Sequence, residues 1–159
     1  MTAQRRPKQK PAAKQKLRLW IRLLRSSRTI EAELRERLRV EFAVTLPQFD
    51  VLAALARRPA GMTMTEVSRY LMVSNGNVTG IIDRLVADGL VVRRTDEADR
   101  RATYVRLTRK GAQQFDTMAE AHETWIGELL ARFGNPETDA MIDLLDRLGA
   151  TIGSGGPPQ

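Results

Sequence analysis

Residues 67–106 read VSRYLMVSNGNVTGIIDRLVADGLVVRRTDEADRRATYVR, and the fold is decided here. A short helical pattern stops at Val73. A second starts at Ser74, a residue type that caps helices, and stops at Gly89. Inside it Val78, Ile81, Ile82 and Leu85 form one apolar stripe, which leaves Ser74, Asn75, Asn77, Thr79 and Arg84 on other faces. Two β-rich runs, residues 91–94 and 102–107, then flank a charged tip ending in Asp99, Arg100 and Arg101. Helix, turn, helix and basic hairpin make the layout of a winged helix-turn-helix. In such a module the second helix suits a major groove, and an arginine on the hairpin tip can reach a minor groove.

Outward from this centre, capping boxes mark two earlier helices. Thr45-Leu46-Pro47-Gln48 opens a helix carrying Phe49, Leu52, Leu55 and Ala56, which Arg57-Arg58-Pro59-Ala60-Gly61 ends. Thr63-Met64-Thr65-Glu66 opens the next, running through Leu71. A long first helix is predicted over residues 17–40, with Leu17, Trp20, Ile21, Leu24, Leu34 and Leu38 at helical spacing. Thr108 starts a long fifth helix whose stripe is Phe115, Met118, Ala119, His122, Trp125, Ile126, Leu129 and Phe133. After the break at Asn135-Pro136, a sixth carries Met141, Leu144, Leu145 and Leu148. The expected class is therefore mainly α with a small β-hairpin wing (α+β). Residues 1–16, basic and without a large apolar residue after Met1, read as a disordered arm, and residues 153–159 as a flexible tail. Between them one domain is expected over 17–152. Its winged lobe is 45–111, and its dimerisation helices are 17–44 and 112–152. The terminal helices carry more apolar surface than the small centre can cover, and a two-fold dimer is the simplest remedy.

The net charge of +7 is unevenly spread. Residues 1–30 hold ten Lys or Arg and no acid, whereas residues 112–159 hold two basic and eight acidic residues. A basic arm and a basic centre suit a polyanion, with the acidic end facing away. Cysteine is absent, which excludes disulfides, thiol redox chemistry and cysteine zinc sites; His122 is the only histidine, so no metal site is expected. Arginines interrupt the apolar residues after the arm, unlike a signal-peptide core, and no apolar run is long enough for a membrane span. A cytoplasmic protein without cofactor is expected. No phosphate loop, nucleophile elbow or paired metal-ligand motif appears, and this argues against an enzyme. A winged-helix module that binds protein rather than DNA remains the alternative.

The run SNGNVTGIIDRLVADGLVVRR, followed by DEADRRATYVRLTRKG, resembles the MarR family of bacterial transcription regulators, and the similarity extends over roughly residues 17–148. The strand-closing L-T-x-x-G at residues 107–111 is typical of that family. The resemblance implies a triangular dimer built from both chain ends. It further implies a pseudo-palindromic operator in double-stranded DNA and, usually, repression relieved by a small ligand. By position, Asn75, Asn77 and Thr79 correspond to major-groove residues, with Ser74 and Arg84 beside them. Asparagine can pair with adenine and threonine can touch a thymine methyl; alternatively the two asparagines only support the helix start. Asp99 and Arg101 correspond to the family's wing-tip pair, the aspartate orienting the arginine, and Arg100 is placed to take a phosphate. Gly80 departs from the pattern, since many relatives carry a larger polar or basic residue there. The family's effector site lies between the dimer helices and the winged lobe. Trp20, Arg28, Phe49 and His122 are the residues that would line it here, an aromatic wall with a cation suited to an aromatic acid. Core packing is the competing role for each. Arg18, Arg22 and Arg25 form a cationic ridge on the first helix, suited to the phosphates of an aryl coenzyme A thioester or simply to solvent.

Overall fold

The computed structural model describes residues 12–95 and 103–153. Six helices and three strands follow in the order α1 (Ala12–Phe42), α2 (Leu46–Ala56), β1 (Met62–Thr63), α3 (Met64–Leu71), α4 (Asn75–Ala87), β2 (Val91–Thr95), β3 (Thr103–Leu107), α5 (Arg109–Leu129) and α6 (Asn135–Gly153). The chain divides into two compact units, residues 1–120 and 121–159, the division falling within α5. Among the described residues no helix is long and apolar enough to cross a membrane.

Both capping boxes form. Thr45 accepts from the Gln48 amide while Gln48 returns a bond to the Thr45 amide, and Thr63 and Glu66 repeat the arrangement. The Thr63 amide donating to Glu66 holds that carboxyl below its ordinary pKa, with the Thr63 hydroxyl as the second cause. The first helix differs from expectation. It begins at Ala12, so residues 12–16, assigned above to the arm, are helical. Ala12-Ala13-Lys14-Gln15-Lys16 are all strong helix formers, and their propensity outweighs the lack of an apolar anchor. At the other end Phe133 does not extend the α5 stripe. The helix stops at Leu129, and Phe133 lies exposed in the turn before α6, its amide bonded to the Leu130 carbonyl.

The sheet has three strands in the order β1-β3-β2, not the two of a simple hairpin. Met62 pairs with Val105, and β2 pairs with β3 from Val91↔Leu107 to Thr95↔Thr103. A strand of two residues is too short for any alternation to reveal it. Beneath the sheet, Leu38, Leu52, Leu55, Val67, Val78, Ile82, Leu85 and Val105 form the buried core of the first unit. In the second unit Leu130, Phe133, Thr138, Met141, Ile142 and Leu145 line an open pocket of about 140 Å³.

The end of α4 is fastened to the start of α5. Gly89, at a φ of 71°, turns the chain out of α4. Thr108 donates its hydroxyl to the Gly89 carbonyl (2.7 Å), accepts from the Gly111 amide (2.9 Å), and bonds through its own amide to the Leu90 carbonyl (3.0 Å). Lys110 Nζ adds a bond to the Asp88 carbonyl at 2.8 Å. Gly111 permits this closeness, because a Cβ there would lie 1.9 Å from the Leu90 oxygen. A second tie joins the sheet to α4: Arg93 on β2 meets Asp83 on α4 at 2.5 Å, both partly exposed.

These contacts give contrasting stability changes. Gly111→Ala should cost more than about 3 kcal/mol, because the clash is with backbone and cannot relax by a rotamer change. Gly80→Ala, where nothing lies within 4 Å of the added carbon, should stabilise by about 0.5–1 kcal/mol through helix propensity. Urea unfolding at a common slope measures both. A double-mutant cycle on Asp83→Ala and Arg93→Ala should give a coupling below about 1 kcal/mol that shrinks in high salt, as for other exposed pairs.

Candidate nucleic-acid interface

Helix α4 has two faces. Val78, Ile82 and Leu85 are fully buried against the core. Asn77, Thr79 and Gly80 are exposed, and Ile81 sits half-buried at the border. Asn75 is the first residue of the helix. Ser74 occupies the N-cap position with extended backbone, but its side chain makes no capping bond, contrary to the role assigned from sequence. Ser74 therefore leaves the first-turn amides of α4 without a side-chain cap, at an end where the helix dipole favours a negative group. Arg84 lies ~14 Å up the axis from the helix start at 1.5 Å per residue. It is exposed and holds Asp88 through Nε at 3.2 Å, an intrahelical pair of small worth. Asp99, Arg100 and Arg101 lie outside the described residues, while Arg93 and Arg94 carry charge on β2 leading towards them.

The turn before α4 is tightly held. Met72 ends α3 in the left-handed region, φ 54° and ψ 37°. The Val73 amide reaches back to the Ser68 carbonyl (3.2 Å), and the buried Ser68 hydroxyl donates to the Val73 carbonyl (2.6 Å). Sequence patterning missed this conformation, because glycine or asparagine is the usual sign of it.

The residues expected to line an effector site fare differently. Trp20 and Arg28 lie on exposed faces of α1, Trp20 at 57% exposure. Phe49 is buried, its ring centroid 5.7 Å from that of Phe115, so it serves the core. His122, half-buried in the second unit, has its pKa lowered by burial, which favours the neutral ring. Within the first unit no aromatic wall joins Trp20 to Phe49. The cationic ridge is present: Arg18, Arg22 and Arg25 flank an open surface with Ile21 and Ser26. A groove not foreseen from sequence runs along α4. About 620 Å³ in volume, it is floored by Leu46, Pro47, Val73 and Ile81, and Arg35, Arg39, Thr45 and Asn77 stand at its edges. Arg39 is engaged with Glu36 at 2.6 Å, whereas Arg35 forms no ion pair among the described residues.

Comparison with known proteins places this geometry. The profile of the MarR family matches residues 44–102. The transcriptional activatory protein BadR of Rhodopseudomonas palustris is 36% identical over 110 residues, 67% of this chain and 58% of BadR. The chain spans 58–66% of the length of the first curated relatives it matches. The crystal structure of a MarR family transcriptional regulator from Silicibacter pomeroyi shares 32% identity, covering 92% of this chain and all (100%) of that one, with a TM-score of 0.74. The MepR–DNA complex from S. aureus has the same fold at 19% identity, covering 84% and 96% of the two chains with a TM-score of 0.71. With buried and exposed faces of α4, a wing hung on a three-stranded sheet and a full-length match at this identity, the chain belongs to the MarR family of winged helix-turn-helix transcriptional regulators.

Proposed function

We propose that this protein is a dimeric, sequence-specific DNA-binding regulator, acting as a repressor that a small aromatic anion releases. The observation that carries the DNA reading is the two-sided build of α4. Val78, Ile82 and Leu85 anchor it in the core, so the exposed Asn77 and Thr79 have a rigid base from which to meet base edges. Open amides at the helix start suit a phosphate, and Asp99 and Arg101 supply the wing by family resemblance, Arg100 a further phosphate contact. The dimer reading rests on uncovered apolar side chains of both terminal helices, Leu17, Leu19 and Trp20 on α1 and Met141, Leu144 and Leu148 on α6. MepR has been solved bound to DNA, and BadR is named an activatory protein. The sign of regulation follows from where an operator lies relative to its promoter.

Selection from a random duplex pool provides the operator. Against it, Arg101→Ala should bind at least about tenfold more weakly while still folding and dimerising, because it loses the focused potential of the minor groove. Asn77→Ala should reduce the ratio of operator to random-duplex affinity by about 1–3 kcal/mol, measured by competition at one salt concentration. Equal losses on both duplexes would make Asn77 a helix support. Failure of the wild-type chain to enrich any duplex would defeat the DNA reading.

For the ligand, we favour the groove beside α4 over the site expected around Trp20, Arg28, Phe49 and His122. An aromatic ring fits its apolar floor, a carboxylate fits Arg35, and the occupant would touch Asn77 and Ile81 directly. Titration of substituted benzoates and hydroxycinnamates, with their coenzyme A thioesters, into the preformed operator complex should release DNA. A ligand with a 100-fold preference for the DNA-free form weakens binding by about 2.7 kcal/mol at saturation. Arg35→Ala should abolish the response and leave operator affinity within about twofold. Release that persists in this variant would return the effector site to the other four residues.

A further inference from the structure

Met72 is the most exposed large apolar side chain of the described protein, at 94%, and it sits on a left-handed backbone. The backbone acts against folding, and the exposure contributes nothing in its favour. A side chain at positive φ costs about 1–2 kcal/mol relative to glycine, and nothing in the fold offsets this through burial of the thioether. The turn itself does not require methionine, since its hydrogen bonds come from backbone atoms and the Ser68 hydroxyl. Residues that break a local rule without gain to the fold concentrate where a ligand is met. Met72 lies two positions before Ser74, the N-cap of the helix whose start would enter the major groove. Val73 beside it is also exposed, so the turn offers DNA an apolar surface rather than a charged one.

We infer that Met72 is a specificity-determining residue that lies against the wall of the major groove and contacts a thymine C5-methyl group. This rests on the DNA reading above. The thymine methyl is the one apolar group that base edges present in the major groove, and unbranched, polarizable methionine adapts to such a surface. The contact adds selectivity at the flank of the half-site, beyond what Asn77 and Thr79 reach.

The test compares wild type, Met72→Gly and Met72→Leu on the duplex that the wild-type chain selects. Glycine is at ease at this φ, so Met72→Gly should fold, with its thermal midpoint raised by a few degrees. Its affinity for the selected duplex should nevertheless fall by about three- to tenfold. Met72→Leu, which keeps an apolar side chain, should stay within about twofold of wild type. Replacing thymines one at a time by uracil removes the methyl alone. Wild type should lose affinity at one thymine per half-site, and Met72→Gly should be indifferent to that replacement. A more stable Met72→Gly that binds as wild type does, or a uracil profile identical in the two proteins, overturns the inference and leaves the DNA reading intact. A wild-type chain that selects no duplex overturns both.

Discussion

The approach of Gly111 to the Leu90 carbonyl is the constraint on which the winged lobe depends. Three structural decisions meet there: α4 ends, the wing begins and α5 sets out. The Thr108 hydroxyl links the first and third by bonding at once to Gly89 and Gly111. Since a Cβ at position 111 would lie 1.9 Å from a backbone oxygen, no side-chain adjustment can substitute for glycine. The direction in which the strands leave α4, and hence where a wing tip can reach, is set by this contact.

Much of this was legible because the physics is local. Capping boxes at Thr45 and Thr63, the stop at Gly89 and the stripe Val78, Ile81, Ile82, Leu85 each depend on residues within a turn or two, and each appears as read except Ile81, which is only half-buried. The misreadings have equally plain causes. Charge and the lack of large apolar residues make 12–16 read as an arm, although propensity alone carries a helix there. Phe133 fits the period of the α5 stripe, but the period outlasts the helix by a turn. Strand β1 exists only because β3 offers Val105 and Tyr104 as partners, a tertiary fact. The candidate DNA residues on α4 were visible as the polar remainder of an apolar stripe. The groove was not, since it joins Arg35, Leu46 and Ile81 from three helices. Ser74 carries a different lesson, that a residue suited to capping can hold the cap position without making the bond.

The exposed face of α4 and the groove beside it share one helix, and this bears on how a ligand in that groove would act. Helix α4 is tied at its far end by the Gly111 contact and along its length by Val78, Ile82 and Leu85 in the core. The Asp83–Arg93 pair is too exposed to matter as much. The near end, where Ile81 and Asn77 border the groove, is held by the Ser68–Val73 bonds and by Val78 rather than by a backbone contact as close as that at Gly111. An occupant there would tilt α4 about its fixed end rather than slide it.

A tilt of that kind acts on two readouts at once. The wing strands leave from the Gly111 end, so they would follow such a tilt little, while Asn77 and Thr79 would move with the near end. A ligand would then separate helix contacts from wing contacts instead of withdrawing the lobe as a whole. In a dimer the same tilt occurs twice with opposite sense about the two-fold axis, so a small rotation in each protomer changes the spacing between the two recognition helices by twice its projection. Successive major grooves lie about 34 Å apart and tolerate little error in that spacing. A ligand needs only a modest preference for the tilted state, on the order of 2–3 kcal/mol per dimer, to shift occupancy of an operator by one to two orders of magnitude.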